Sequence, residues 1–179
     1  MLCGQYEGRL LSLISSIMQP HCAVEVGSFV GYSTICIARG LSPDGILHAF
    51  EINEELEDVI HRHLREAAVD EKVKLHIGDA GELIERQFPL GDRTIDLAFI
   101  DAGKRDMLSH YEMIVPRMRK NGVVIVDNVL WDGKVLDTEQ NHDADTRMIA
   151  GFNDRVQNDN RVENMILDVR DGVLICKVL

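Results

Sequence analysis

Two hydrophobic rhythms alternate along the chain. Short apolar runs of strand length are bounded by turn residues, and between them apolar residues recur every three or four positions, the period of a helix with one buried face. A helix is predicted over Gln5 to Met18, with Leu10, Leu11, Ile14, Ile17 and Met18 on one face and Pro20 stopping it. A strand His21 to Val26 and a helix Ser33 to Arg39 closed by Gly40 follow. After the turn Ser42-Pro43-Asp44-Gly45 come a strand Ile46 to Phe50 and a helix Glu54 to Ala68 capped by Asn53. The pattern continues with a strand Val73 to Ile77, a helix Glu82 to Gln87 and a strand Ile95 to Ile100. A helix Asp106 to Met118, closed by Asn121-Gly122, leads into a strand Val123 to Val126, and Asp145 to Gln157 is the last helix. Val162 to Leu167 and Val173 to Val178 read as a hairpin around Arg170-Asp171-Gly172. Strands alternating with helices predict an α/β fold, a doubly wound and mostly parallel sheet of seven strands, with one late strand antiparallel.

Such sheets bind ligands beyond the carboxyl ends of their strands. Two runs end there in acidic elbows: Ile100-Asp101-Ala102-Gly103-Lys104 and Val126-Asp127-Asn128. Asp101, Asp127 and Asn128 would point three oxygen ligands at one spot, which suits a hard divalent cation such as magnesium or calcium. Lys104 lies one turn further on and could reach the same spot. The plainer alternatives are a solvated lysine and a simple turn after a strand.

Gly27-Ser28-Phe29-Val30-Gly31 follows the first strand and looks like a nucleoside-cofactor turn. It misses the dinucleotide fingerprint, because Phe29 stands where close approach to a pyrophosphate requires glycine. That disfavours NAD and FAD. Glu51 ends the second strand, where a carboxylate can accept both ribose hydroxyls, and Asp79-Ala80 ends the third, beside the adenine edge. Taken singly, Glu51 and Asp79 could be helix caps and the glycines ordinary turn residues.

Composition narrows the field. The 179 residues suit one domain over 1–179, and 45% hydrophobic residues exclude disorder. A formal net charge of -11 argues against nucleic acid as partner. No apolar run is long enough to span a membrane, and no signal-peptide pattern opens the chain. Cys3, Cys22, Cys36 and Cys176 are scattered without a C-x-x-C, which fits reduced thiols in a cytoplasmic protein. The seven histidines show no metal spacing, and His61 and His63 read as solvated surface residues.

The chain resembles the cation-dependent class I O-methyltransferases, the group of catechol and caffeoyl-coenzyme A O-methyltransferases and their bacterial relatives. The resemblance is carried by Glu25 to Thr34, Phe50-Glu51, His76 to Ala80, Phe99 to Lys104 and Asp127 to Val135, with further similarity in Phe152-Asn153 to Arg161-Val162 and Arg170-Asp171-Gly172. It implies a Rossmann-like methyltransferase fold and S-adenosylmethionine as methyl donor. It sets Glu25, Gly27 and Ser33 near the methionine portion, Glu51 at the ribose, and Asp79 and Ala80 near the adenine, with Asp101 also bordering the cofactor. It makes Asp101, Asp127 and Asn128 ligands of a cation, magnesium or alternatively calcium or manganese, and Lys104 the base. The implied acceptor is a small vicinal dihydroxy aromatic. Two alternatives stay open: a hydroxyuridine of transfer RNA, for which Arg62, Arg65, Lys72 and Lys74 are the notable basic grouping, and a cofactor-binding protein with little turnover. A homodimer is a further expectation.

Three departures stand out. Gly103 replaces the Asp or Asn usual in bacterial relatives, and Met107 replaces an aromatic residue, both expected beside the acceptor. Relatives usually carry further N-terminal cover helices, so a more open site with weak cofactor binding and slow turnover is expected. Trp131 could wall the acceptor pocket or anchor the core.

Overall fold

The computed structural model describes residues 4–101, 103–137 and 143–179; Cys3 lies outside them. Seven strands form one sheet: β1 (Cys22–Val26), β2 (Ile46–Glu51), β3 (Val73–Ile77), β4 (Ile95–Ile100), β5 (Met118–Asp127), β6 (Val162–Leu167) and β7 (Val173–Val178). Their order is β3-β2-β1-β4-β5-β7-β6. Every pairing is parallel except those of β7, which runs antiparallel to both β5 and β6. The winding direction reverses between β1 and β4, which opens a crevice at their carboxyl ends.

Both faces of the sheet are covered, which explains why its central strands are nearly all apolar. Alternate residues serve opposite faces. Val24, Ala98, Ile100, Val124 and Val126 join one core with α4 (Ala80–Gln87), α5 (Met107–Ile114) and α6 (Ala144–Gln157). Ala23, Leu97, Phe99 and Ile125 join the other, with α1 (Gln5–Met18), α2 (Tyr32–Ala38) and α3 (Glu57–Glu66).

The α1 helix has the predicted bounds but a different buried face. Glu7, Gly8, Leu11 and Ser15 are buried, whereas Ile17 is 74% exposed and Leu10, Ile14 and Met18 are half-buried. The reason is close packing on α2. A Cβ on Gly8 would lie 2.7 Å from the Tyr32 ring. Ser12 and Ser15 donate to the carbonyls of Cys36 and Ile37 in the last turn of α2, where the helical ladder runs out. Small and polar residues therefore win a face that the apolar pattern assigned to Ile17.

Two helices are shorter than predicted. A 3-10 turn over Glu54–Leu56, capped by Asn53 accepting from the Glu55 amide at 3.0 Å, precedes α3, which ends at Glu66. The fifth helix stops at Ile114. Pro116 lies in the following 3-10 turn, and β5 already starts at Met118. Asn121 (φ 61°) and Gly122 do not close a helix; they lie inside β5, where its register against β4 shifts between the Ile95–Met118 and Leu97–Val123 pairs. His61 and His63 are half-buried rather than solvated, and His63 Nδ1 lies 2.8 Å from the Val30 carbonyl oxygen.

The predicted hairpin turn at Arg170-Asp171-Gly172 also supports the chain after β5. The amides of Val129 and Leu130 donate to the carbonyls of Gly172 and Asp171 at 3.1 and 2.8 Å, and the Asp132 amide donates to the Asp171 carboxylate. Gly172 has φ 84°, and a Cβ there would come within 2.4 Å of Leu130. The loop beyond Asp127-Asn128 is thus clamped by the turn between β6 and β7.

Candidate active site

Each carboxyl strand end extends the ladder by one bond. Gly27 donates to the Phe50 carbonyl, Gly78 to that of Glu51 and Asp101 to that of Val26, all at 2.9 Å. These bonds set the turns after β1, β3 and β4 around one cavity of about 490 Å³, large enough for a nucleoside-sized ligand. Its wall includes Gly27, Glu51, Asp79, Ala80 and Asp101 of the expected set. Phe50, Ile52 and Met113 supply apolar surface.

Glu51 is 7% exposed and held from two sides: Oε2 accepts from the Phe29 amide at 2.7 Å and Oε1 from the Asn53 amide at 2.9 Å. Phe29 meets Glu51 through its backbone, at φ 49°. Asp79 caps α4, accepting from the Glu82 amide at 3.0 Å, while also bordering the cavity, so its cap and site readings coexist. Glu25 and Ser33 are buried behind the wall. Glu25 accepts from Ser28 and Thr34, its Oε1 has no hydrogen-bond partner, and burial pushes its pKa up to about 7. The contact of Glu25 and Ser33 with each other keeps the turn from β1 into α2 in shape.

Ile100 lies opposite Val126 in the β4–β5 register, so Asp101 and Asp127 leave the sheet side by side. Burial raises the pKa of both carboxylates; Lys104 opposes this at Asp101, whereas Glu7 and Asp101 add to it at Asp127. Asn128 has φ 60°, and its Oδ1 accepts from Lys104 Nζ at 2.8 Å. Lys104 is therefore half-buried and hydrogen-bonded rather than a freely solvated lysine. The same ammonium lies 5.0 Å from the Trp131 ring centre, and Lys134 lies 5.5 Å from it, so Trp131 stands between two cations at the rim rather than in the core.

Among the described residues no group of three or more His, Cys, Asp or Glu is placed to hold a metal ion. The expected set has two carboxylates and one amide. Its chemistry nevertheless fits a hard cation. Both carboxylates are disfavoured as anions by burial, and the amide oxygen already takes a positive group.

Sequence reasoning passed over Glu7, His110 and Arg170. His110 borders the cavity with its Nδ1 buried and unpartnered, and burial lowers its pKa. Glu7 was detectable as the charged residue on the buried stripe of α1. Gly103 does face the cavity, but Met107 is 2% exposed in the core, where a side chain beside an acceptor does not belong.

The profile of the O-methyltransferase family matches residues 1–179. A caffeoyl-CoA O-methyltransferase of Stellaria longipes is 28% identical over 176 residues, covering 95% of this chain and 73% of its own. Among solved structures, the O-methyltransferase TomG of Streptomyces achromogenes in complex with SAM superposes with a TM-score of 0.91 at 28% identity, over 99% of this chain and 81% of that one. An O-methyltransferase from Bacillus cereus in complex with SAH gives 0.89 at 27% identity, over 98% and 82%. Together with the crevice at the winding reversal, these likenesses show that the chain belongs to the S-adenosylmethionine-dependent O-methyltransferase family.

Proposed function

We propose that this methyltransferase is divalent-cation dependent and methylates one hydroxyl of a small vicinal dihydroxy aromatic. The observation that carries the reading is the convergence of Asp101, Asp127, Asn128 and Lys104 beside the cofactor cavity. The caffeoyl group named in the Stellaria longipes relative is itself a vicinal dihydroxy aromatic. A phenol has a pKa near ~10, so the acceptor must lose its proton to become a nucleophile. When bound, a divalent cation held by Asp101, Asp127 and Asn128 supplies charge that favours this ionisation.

The chain's own residues do the rest. Glu51 has both oxygens fixed by backbone amides and offers its remaining lone pairs to the ribose hydroxyls. Gly27 keeps the turn open for the methionine portion, with Glu25 and Ser33 setting its shape. Lys104 Nζ stands at the acceptor side, held by Asn128 and Trp131; as the free amine it would accept the hydroxyl proton and become the ammonium. Asp101 borders both halves and fixes the distance from methyl group to acceptor oxygen, and much of the rate arises from that proximity. The free thiols of Cys22, Cys36 and Cys176 suit a cytoplasmic setting.

The test is methyl transfer to a catechol and to the matching monohydroxy phenol, with added magnesium and with chelator. Catechol should be methylated only with magnesium. Asp127→Ala should lower that rate at least ~100-fold while circular dichroism stays unchanged, the scale seen when a group stabilising developing charge is removed. Full catechol turnover in chelator overturns cation dependence. Turnover confined to transfer RNA overturns the acceptor.

A further inference from the structure

One wall of the cofactor cavity comes from a helix rather than from a strand end. Helix α5 presents Ser109, His110 and Met113 to it. This wall meets the elbow after β3. A Cβ on Gly81 would lie 3.0 Å from Asp79 Oδ1 and 3.3 Å from Met113 Cε, so the carboxylate and the α5 face converge where a side chain would intrude. His110 precedes Met113 by one helical turn, on the same face. It is 9% exposed, and its Nδ1 is enclosed with no hydrogen-bond partner. An enclosed polar group without a partner costs free energy, and an apolar ring would fill this place without that cost. Burial holds the imidazole below its ordinary pKa, so at neutral pH it carries one N–H and one lone pair. Orphaned N–H groups are rarer than orphaned acceptors, which assigns the lone pair to Nδ1 and the N–H to Nε2.

We propose that His110 selects the base of the cofactor: its Nε2–H donates to adenine N1 while the Asp79 carboxylate accepts from the N6 amino group. The inference rests on the placement of the adenine at Asp79 and Ala80. An acceptor beside a donor is the complement of that edge of adenine. A 6-oxo purine inverts both groups. Its O6 would face the carboxylate, and its N1–H would face the imidazole N–H. A site built to hydrogen-bond one pattern rejects the other, because its own buried polar groups are then left unpaired. His110 is thus a specificity residue for the cofactor, and α5 helps to separate an adenine ligand from its deaminated form.

The experiment is calorimetric titration of S-adenosylhomocysteine and of its 6-oxo analogue, S-inosylhomocysteine, into the full chain at pH 7.5. The proteins are the wild type, His110→Phe, His110→Gln and Asp79→Asn. The wild type should prefer the adenine ligand by at least ~tenfold. His110→Phe should bind S-adenosylhomocysteine about fivefold more weakly and the 6-oxo analogue no more weakly, so that the preference shrinks by that factor. His110→Gln keeps an N–H donor and should recover most of the loss. Asp79→Asn keeps a cap for α4 but offers position 6 either an oxygen or an amino group, so it too should lower the preference. A wild type that binds both ligands equally overturns the proposal without recourse to any variant. Equal losses of both ligands in His110→Phe reduce the ring to wall packing and overturn it as well. A preference kept in Asp79→Asn removes the base from Asp79 and overturns the pairing. A wild type that binds neither ligand overturns the placement of the cofactor itself.

Discussion

The carboxylates at the ends of β1 and β2 and those at the ends of β4 and β5 are differently furnished: Glu25, Glu51 and Asp127 are buried and Asp101 is half-buried. Glu51 has an amide on each oxygen, and Glu25 takes two hydroxyls. On the other side Asp127 accepts from the Asn128 amide at 2.6 Å and otherwise faces Glu7 and Asp101. The cofactor half is organised by the chain's own donors. The acceptor half gathers the carboxylates of Asp101, Asp127 and Glu7, with Lys104 and Arg170 among the counter-charges. One half is a preformed cradle for a neutral sugar and base. The other gathers carboxylates at one corner of the sheet, the feature on which the proposed cation dependence rests.

The comparison breaks most sharply at Lys104. If the acceptor half carries the chemistry, Lys104→Met should lower turnover by roughly 10²- to 10⁴-fold while leaving S-adenosylmethionine affinity little changed. Single-turnover rates and calorimetry with the cofactor measure the two separately. A variant with weakened cofactor binding and normal turnover would erase the division between the halves.

The mirror experiment is Glu51→Ala. Removing a charged acceptor for the ribose hydroxyls should weaken S-adenosylmethionine by about 2 kcal/mol, near thirtyfold. Manganese affinity should stay the same, because Glu51 lies on the cofactor side. A comparable loss of manganese binding would show that the halves are coupled.

An effect on stability rather than on binding or turnover sharpens the comparison from the distal flank of the cofactor half. His48 on β2 and His76 on β3 stack with Nδ1 and Nε2 3.1 Å apart, and burial pushes His48 down to about 4. Between pH 6.5 and about 4 the unfolded chain takes up a proton that the folded chain refuses. Stability is therefore complete above pH 6.5 and is lost as pH falls toward 4, by on the order of 2–3 kcal/mol. Urea titrations across that window should show the slope, and His48→Asn should flatten it.

Much of this architecture was legible in the residues. The central strands were legible because an apolar run buried on both faces leaves little ambiguity; β3 and β6, only partly buried at the sheet edges, were marked by their flanking turns. What failed was governed by contacts distant in sequence. Ile17 satisfies the helical period yet faces solvent, since the close approach of α2 favours Gly8 and Ser15. Asn121-Gly122 carries a helix-ending signature, but Pro116 had already ended the helix and the pair serves a bulge. Within the site, Asp101, Asp127, Asn128, Glu51 and Asp79 were readable because each ends a strand. Glu7 showed only as a charge on the apolar stripe of α1, and Arg170 only as a turn residue, because nothing local reveals that the start of α1 and the turn after β6 meet.

The placement of β7 between β5 and β6 has a consequence for the order of assembly. β6 precedes β7 in the chain yet pairs only with it. The edge of β5 can therefore be paired only once both strands of the hairpin exist. Until then Val129 and Leu130 lack the Gly172 and Asp171 carbonyls that hold them, and Glu7 lacks Arg170. A nascent chain that stops short of Asp171 has the residues that line the nucleoside cavity but lacks both anchors of the loop beyond Asp127-Asn128.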